Sequence, residues 1–285
     1  MVFPPNPASG CVSPSANVRG GKIREVSNWH LARVVAQAGQ LGVVSGAALN
    51  TILVRRLRQG DFGGAIRWAL DRCPLRAAAR RIQSRYFIPG GVSAVRRHRS
   101  APRPLTSLAE EVVELTIVAT FIEVALAKHG HNGVVGLDLR EKVPLRILAS
   151  LFGAMLARVD SVLLGAGNSR VVPAMLDRLV AWQPVALDDG GAGTAPGGNP
   201  PLHFDPRRFA PDSPPPLRRP ALLAIVSSGT HAARVARQAG GRVDGFVIER
   251  PSADGAEVAR FMRPEAETCR AADVVRCVAQ ALGER

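Results

Sequence analysis

Short apolar runs alternate along the chain with stretches whose apolar residues recur at helical spacing. Leu31, Val34, Val35 and Ala38 share one helical face, and Ser27 or Asn28 stands where an N-cap is needed. The apolar stretch 41–46 then reads as a buried strand ending in Ser45-Gly46. Helical patterns follow over 47–58, 65–73 and 76–86, broken by Gly60 and the Gly63-Gly64 pair. Further on the alternation is regular. Strands are expected at 134–139, 160–164, 222–226 and 243–248, and helices at 146–157, 171–182 and 231–239. A short strand is also expected at 17–19 and a helix around 271–282.

Residues 108–128 fit two patterns. Propensity allows one long helix, but 115–122 is β-branched and nearly all apolar, the composition of a strand buried on both faces. The reading adopted is helix, then strand, then a helical turn near 125–128.

These elements predict an α/β fold with about seven strands separated by helices. The expected architecture is a TIM-type (β/α)8 barrel whose C-terminal end stops short of a full ring. An open doubly wound sheet competes, although no Gly-x-Gly-x-x-Gly turn opens the first helix. The chain divides into an N-terminal tail over 1–17, a barrel over 18–251 and a divergent segment over 252–285. A Gly/Pro-rich insertion at 188–220 reads as a long loop or a lid.

Composition narrows the class. Hydrophobic residues are 46% of the 285 and aromatics only 5%, so the core is aliphatic. No run approaches the roughly 18 uncharged apolar residues of a membrane span. The start of the chain lacks a secretory pattern. A cytoplasmic protein without a membrane partner is therefore expected. Cys11, Cys73, Cys269 and Cys277 are scattered, which suggests neither a zinc site nor a disulfide framework. The net charge of +14 is carried almost wholly by arginine. A polyanion-binding protein is one reading of that charge. Aromatics are not interleaved with the basic runs, which argues against nucleic acid.

Small residues recur just after the expected strands: Gly20-Gly21, Ser45-Gly46, Gly165-Ala166-Gly167 and Ser227-Ser228. In a barrel these lie on the rim that carries active sites, where glycine admits a flat ligand or a phosphate. Strand-to-helix turns need Gly and Ser for their own geometry, so the repetition is the signal, not any single turn. Lys128, His129 and His131 follow the expected third strand, and His131 is a candidate acid or base. Lys142, one of three lysines, follows the fourth and can stabilise negative charge. Each is equally readable as a solvated loop residue. No metal ligand set is visible.

Four stretches together resemble a known family. They are Asn28-Trp29-His30-Leu31-Ala32-Arg33 with Gln37 to Gly46, Phe121 to His131, Gly153-Ala154-Met155-Leu156-Ala157 with Gly165-Ala166-Gly167, and Asp244-Gly245-Phe246-Val247-Ile248-Glu249. In order and spacing they are similar to the nitronate monooxygenase (2-nitropropane dioxygenase-like) family from about Val18 to about Pro251. The resemblance implies a TIM barrel with FMN at its C-terminal rim. It also implies oxidation of alkyl nitronates by molecular oxygen, with the flavin supplying the chemistry. It places Gly20-Gly21-Lys22 and Ser45-Gly46 against the flavin, and Lys142 and Gly165-Ala166-Gly167 near the ring or substrate. Ser227 completes the expected cofactor set, and His131 and Lys142 are the catalytic candidates.

Two departures stand out. Where members carry a Gly-Gly-Met-Gly-type turn, this chain reads Gly20-Gly21-Lys22-Ile23. Where members show Gly-Gly-His after the seventh strand, it reads Arg250-Pro251-Ser252-Ala253-Asp254-Gly255. In the family that loop cradles the FMN phosphate and its histidine is a candidate base. A degenerate, non-catalytic barrel relative without the flavin phosphate site is therefore the alternative expectation.

Overall fold

The first helix starts where a side chain replaces a missing backbone partner. Asn28 Oδ1 accepts the Leu31 N–H at 3.2 Å and opens α1 (Trp29–Gln37). In the computed structural model, which describes residues 28–92, 110–140, 144–165, 171–187, 202–210, 213–226 and 228–248, this helix leads into β1 (Gly42–Ser45). Four helices follow: α2 (Leu49–Arg58), α3 (Ala65–Leu70), α4 (Arg76–Tyr86) and α5 (Glu110–Lys128). Then come β2 (Val135–Leu139), α6 (Pro144–Leu156), β3 (Ser161–Gly165) and α7 (Val172–Val180). A hairpin pair, β4 (Val185–Leu187) and β5 (Leu202–Phe204), precedes a short 3-10 helix at Pro206–Phe209. The described chain ends with β6 (Ala221–Val226), α8 (Gly229–Gln238) and β7 (Gly245–Ile248).

Five strands form one parallel sheet in the order β1-β2-β3-β6-β7. Every neighbour in the sheet follows in chain order, apart from the β4–β5 hairpin, which stands outside it. The sheet has two unlike faces. Val44, Val135, Leu137, Leu139, Val162, Leu164 and Leu222 are buried in one cluster with the helices. Ala224 and Val226 join Ala232 and Val235 of α8 in a smaller one. By register these residues all lie on the same face. The alternate positions form the other face, where Val43, Ser45, Asp138, Gly165, Leu223 and Ile225 are partly buried and Gly136, Ser161 and Leu163 are buried. The period-two alternation of a strand therefore sorts the sheet into a helix-covered side and a side that the described helix-packed clusters leave out.

One expectation is overturned. Residues 115–122 are not a strand but the middle of α5. This helix is buried all round, with Glu114 and Ala125 the only incompletely buried positions from Val112 to Ala127. A helix enclosed on every side and a strand buried on both faces give the same continuous apolar run. The 19-residue length of the element decides for helix. Its threonines fit the interior because each satisfies itself. Thr116 Oγ1 donates to the Val112 carbonyl at 2.7 Å, and Thr120 Oγ1 to that of Thr116 at 2.9 Å. Gly153 of α6 allows the two helices to touch, since a Cβ there would stand 2.2 Å from the Ile117 carbonyl oxygen.

The strand expected at 17–19 and the helix at 271–282 lie outside the described residues. Five strands of the expected seven or so thus make up the described parallel sheet. The 188–220 insertion is not wholly loop, because β5 and the 3-10 helix fall within it. Phe204 is 2% exposed and sits edge-on to Phe152 of α6 at 5.8 Å, while Trp182 Nε1 donates to the Pro215 carbonyl at 3.3 Å. These contacts anchor its described part to the helix layer. No described helix is long and apolar enough to cross a membrane.

The N-terminal edge of the sheet is fastened by the same device twice. Asp160, just before β3, accepts the first amide of β2, Val135 N–H, at 2.8 Å and holds Lys128 Nζ at 2.5 Å. Asp244, just before β7, accepts Leu222 N–H of β6 at 2.8 Å and holds Arg219 and Arg242 at 2.8 and 2.5 Å. In each case the aspartate's own N–H returns a bond to that strand residue's carbonyl, at 3.0 Å to Val135 and 2.8 Å to Leu222. A cation from before one strand, a residue at that strand's start and an aspartate from before the next are thereby tied together, with Arg242, from before β7, as a second cation on Asp244.

Candidate functional site

The C-terminal edge is built differently. At the end of β1, Ser45 pairs with Asp138 of β2, and the Gly46 N–H donates to the Asp138 carbonyl at 2.9 Å. Ser45 Oγ accepts the Ala47 N–H at 3.4 Å, and Ala48 adopts a left-handed φ of 56° to begin α2. A Cβ at Gly46 would stand 2.6 Å from Leu139 Cδ2 and 2.9 Å from the Asp138 oxygen. Glycine is therefore required at this position by packing between strands.

Gly165 is the opposite case. It ends β3, is partly exposed, and among the described residues has no atom within 4 Å of where its Cβ would be. Neither packing nor a positive φ demands glycine there, so the open space beside it is available to a ligand. On β6, the following Ser227 lies outside the described residues, but Ser228 caps α8, its Oγ accepting the His231 N–H at 3.2 Å. The Nδ1 atom of His231 is buried without a hydrogen-bond partner among the described residues. Burial, and then the charge of Arg234, hold this imidazole below its ordinary pKa.

Asp138 is the residue that sequence reasoning missed. It is the single ionisable side chain in the five strands of the sheet. The register places it on the open face, beside Ser45 and one strand from Leu163. Its side chain is 12% exposed, and Oδ2 accepts Arg140 Nε at 2.9 Å. A charged residue in an otherwise apolar strand was a visible signal, but which face it occupied depended on the register.

The structure separates the remaining candidates from this edge. Lys128, His129 and His131 do not follow a strand; they follow α5 and enter β2, at the N-terminal edge. Lys128 is held by Asp160, and His129 packs on Trp68 with ring centroids 4.1 Å apart. His131 Nδ1 accepts the Gly133 N–H at 3.0 Å, and Nε2 lies 2.6 Å from the Ala127 carbonyl. These partners fix the Nε2–H tautomer, and both nitrogens close the α5–β2 turn. Gly20, Gly21, Lys22, Lys142, Ala166, Gly167 and Ser227 lie outside the described residues, as does the loop after Ile248. Among the described residues the structure places Ser45, Gly46 and Gly165 on one edge, joined by Asp138, and His131 at the other.

Other ionisable groups serve the helix layer. Glu123, 4% exposed, accepts the Trp29 N–H at 3.0 Å and Arg56 Nη1 at 2.8 Å. Burial raises its pKa, and Arg56 opposes the rise. Cys73 is buried and its thiol is pushed up to about 12, chiefly by burial. Many arginines are engaged within the fold. Arg67 binds Asp61 and lies 4.7 Å from the Phe87 ring, Arg81 and Arg85 bind Glu114 and Glu111, and Arg72 lies 4.1 Å from the Trp68 ring. Among the described residues no group of three or more His, Cys, Asp or Glu side chains could hold a metal ion.

Compared with known proteins, the chain matches no family model and no curated sequence.

Proposed function

We propose that the chain is a flavin-dependent oxidoreductase of the nitronate monooxygenase kind, with FMN across the C-terminal edge of a (β/α)8-type barrel. The observation that carries this reading is the two-faced sheet. Five parallel strands follow one another in chain order, with helices packed on one face and an open face ending in Ser45, Asp138 and Gly165. A singly wound order of this sort supports a barrel arc, since a doubly wound sheet reverses order at its switch point. The sequence resemblance supplies the cofactor and substrate class.

The described residues fit a flavin in two respects. Gly165 leaves space where a side chain would obstruct a flat ring. Asp138 and Ser45 offer polar atoms on the same face. When bound, FMN would supply the redox chemistry between nitronate and molecular oxygen. The protein's part is to bind and orient. Ser45 offers a hydroxyl, Asp138 an acceptor, and the clasped N-terminal edge a fixed sheet on which the rim is held. His131, occupied by its own turn, takes no part in this scheme; Lys142 remains its candidate for stabilising negative charge.

The sequence after Glu249, which lacks the family's Gly-Gly-His, favours the second reading of a non-catalytic barrel relative. A visible spectrum and an FMN titration separate the two. Flavin absorbance with turnover of ethylnitronate is the expected result. A colourless protein that does not take up FMN would overturn the flavoenzyme reading.

A further inference from the structure

We infer that the turn carrying Phe62, with Ile88 beside it and the arginines of α3 and α4 around it, is a docking surface for the anionic face of a lipid bilayer. Phe62 is 82% exposed, the highest value for a large hydrophobic side chain among the described residues. The fold holds it there. The Gly64 N–H donates to the Asp61 carbonyl at 2.8 Å and closes a four-residue turn with Phe62 at its tip. Asp61 is buried at a left-handed φ of 43°, and its carboxylate oxygens accept the N–H groups of Ile66 and Arg67 at 3.1 and 3.0 Å. A second turn packs against the first. A Cβ on Gly91 would stand 2.5 Å from the Gln59 carbonyl oxygen, and one on Gly60 would stand 2.9 Å from the Gly91 nitrogen. The second turn carries Ile88, itself exposed, whose N–H donates to the Leu57 carbonyl at 3.3 Å. Two apolar side chains thus stand on neighbouring, fixed turns, where folding gains little from either.

The surroundings are basic. Residues 49–92 include nine arginines, two aspartates and no lysine or glutamate. Arg67 is matched by Asp61, and α5 supplies Glu123 to Arg56, Glu114 to Arg81 and Glu111 to Arg85. Glu110, the other carboxylate of α5, is held by Arg208. Arg72, Arg76 and Arg80 are exposed and bind no carboxylate among the described residues, with Asp71 left to oppose them. Arg55 and Arg58 are engaged elsewhere, and the positive excess does not depend on them. Residues 93–109, no part of this surface, carry four arginines and no acidic residue, so the chain attached at Val92 does not reverse the sign.

Such a surface repels a second copy of itself and attracts a polyanion. The apolar residues decide which kind. A stable protein interface buries about 800 Å² on each partner around an apolar core, more than two side chains on turns supply. Single-stranded nucleic acid needs successive aromatic faces. Here Trp68, Tyr86 and Phe87 are only partly exposed, with guanidinium groups 4.1, 5.6 and 4.7 Å from their ring centres. A bilayer surface needs neither a matching shape nor a stacking row. It takes an isolated apolar side chain into the headgroup layer while arginines meet lipid phosphates and carboxylates. The expectation of no membrane partner rested on spanning segments, which a surface contact does not use.

The test is co-sedimentation of the full-length protein with vesicles of phosphatidylcholine containing about 30% phosphatidylserine, and with pure phosphatidylcholine. The anionic vesicles are expected to bind about tenfold more tightly, with the preference fading as salt rises from about 0.1 M to about 0.5 M. Phe62→Ala should weaken that binding about fivefold at an unchanged thermal midpoint, because so exposed a side chain holds little of the fold. Arg76→Gln combined with Arg80→Gln should weaken it by a similar factor and flatten the salt dependence. Phe62→Trp should keep binding, and brominated acyl chains should quench its added emission, a signature of insertion. Equal binding by wild type and Phe62→Ala would overturn the inference, as would no binding to anionic vesicles. Phe62-dependent binding of oligothymidylate without binding to vesicles would assign the surface to nucleic acid instead. None of these measurements involves FMN, so their failure leaves the flavin reading untouched.

Discussion

The two ends of the parallel sheet are held by different means. At the N-terminal edge, Asp160 and Asp244 each gather a residue at a strand's start and a cation from before it, and His131 closes a turn with both ring nitrogens. At the C-terminal edge, among the described residues, nothing stands beside the Cβ position of Gly165, a buried His231 nitrogen has no partner, and Asp138 lies on the face away from the helix-packed clusters. One edge has its polar groups satisfied by the fold. The other has space beside Gly165 and one buried His231 nitrogen that no described residue bonds. Unused capacity of this kind is where a ligand site is sought, and satisfied capacity is where stability is sought.

Breaking the clasps should have the largest effect. Asp244→Ala leaves the Leu222 amide without its acceptor, takes the carboxylate from Arg242 and leaves Arg219 with Asp177. The expected loss is about 3 kcal/mol of unfolding free energy, as for charge-assisted bonds left unmade. Asp160→Ala, with one cation and more exposure, should lose about 2 kcal/mol. Urea denaturation at unchanged slope measures both. If either variant unfolds at the wild-type midpoint, the clasp is not what secures that edge.

The two rim glycines sharpen the comparison. Gly46→Ala forces a methyl against Leu139 and the Asp138 carbonyl, so a loss of roughly 1–3 kcal/mol is expected. Gly165→Ala meets nothing and should stay within about 0.5 kcal/mol of wild type. The same Gly165→Ala protein should nevertheless bind FMN about tenfold more weakly, the ~1.4 kcal/mol of one decade. Paired urea and flavin-fluorescence titrations test this, and an unchanged FMN affinity would remove Gly165 from the site.

The smallest effect concerns pH. Folding lowers the His231 pKa below its ordinary 6.5, so the folded chain binds fewer protons than the unfolded one as pH falls past that value. Stability is therefore complete above about 6.5 and declines below it. His231→Gln should make that decline shallower in urea midpoints measured from pH 7.5 to 5. An equal slope in both proteins would show that His231 is not a source of it. His30, held low by burial and by Arg56 and Arg33, keeps part of the decline in the variant.

Much of the local structure was legible in the chain. The helix over 76–86, the cap at Asn28 and the strands at 134–139 and 222–226 emerge within a residue or so of where periodicity puts them. Less of the site was. Ser45, Gly46 and Gly165 fall on one edge as expected, because a residue that ends a parallel strand must lie there. His131 was assigned to that edge only because 115–122 was taken as a strand. Once α5 is a single helix, the residues after it enter the next strand instead of leaving the last one.

Outside 108–128, the sequence by itself determined roughly where the described elements lie and that the sheet is parallel, because caps, glycine breaks and strand–helix alternation act over a few residues. The tertiary structure alone decided three things. It made α5 a helix, because enclosure on all sides erases the periodicity that marks one. It chose the sheet face that helices cover, because register is a relation between strands. It thereby set Asp138 on the open face at the carboxyl edge, where one carboxylate among apolar strands becomes a candidate for chemistry.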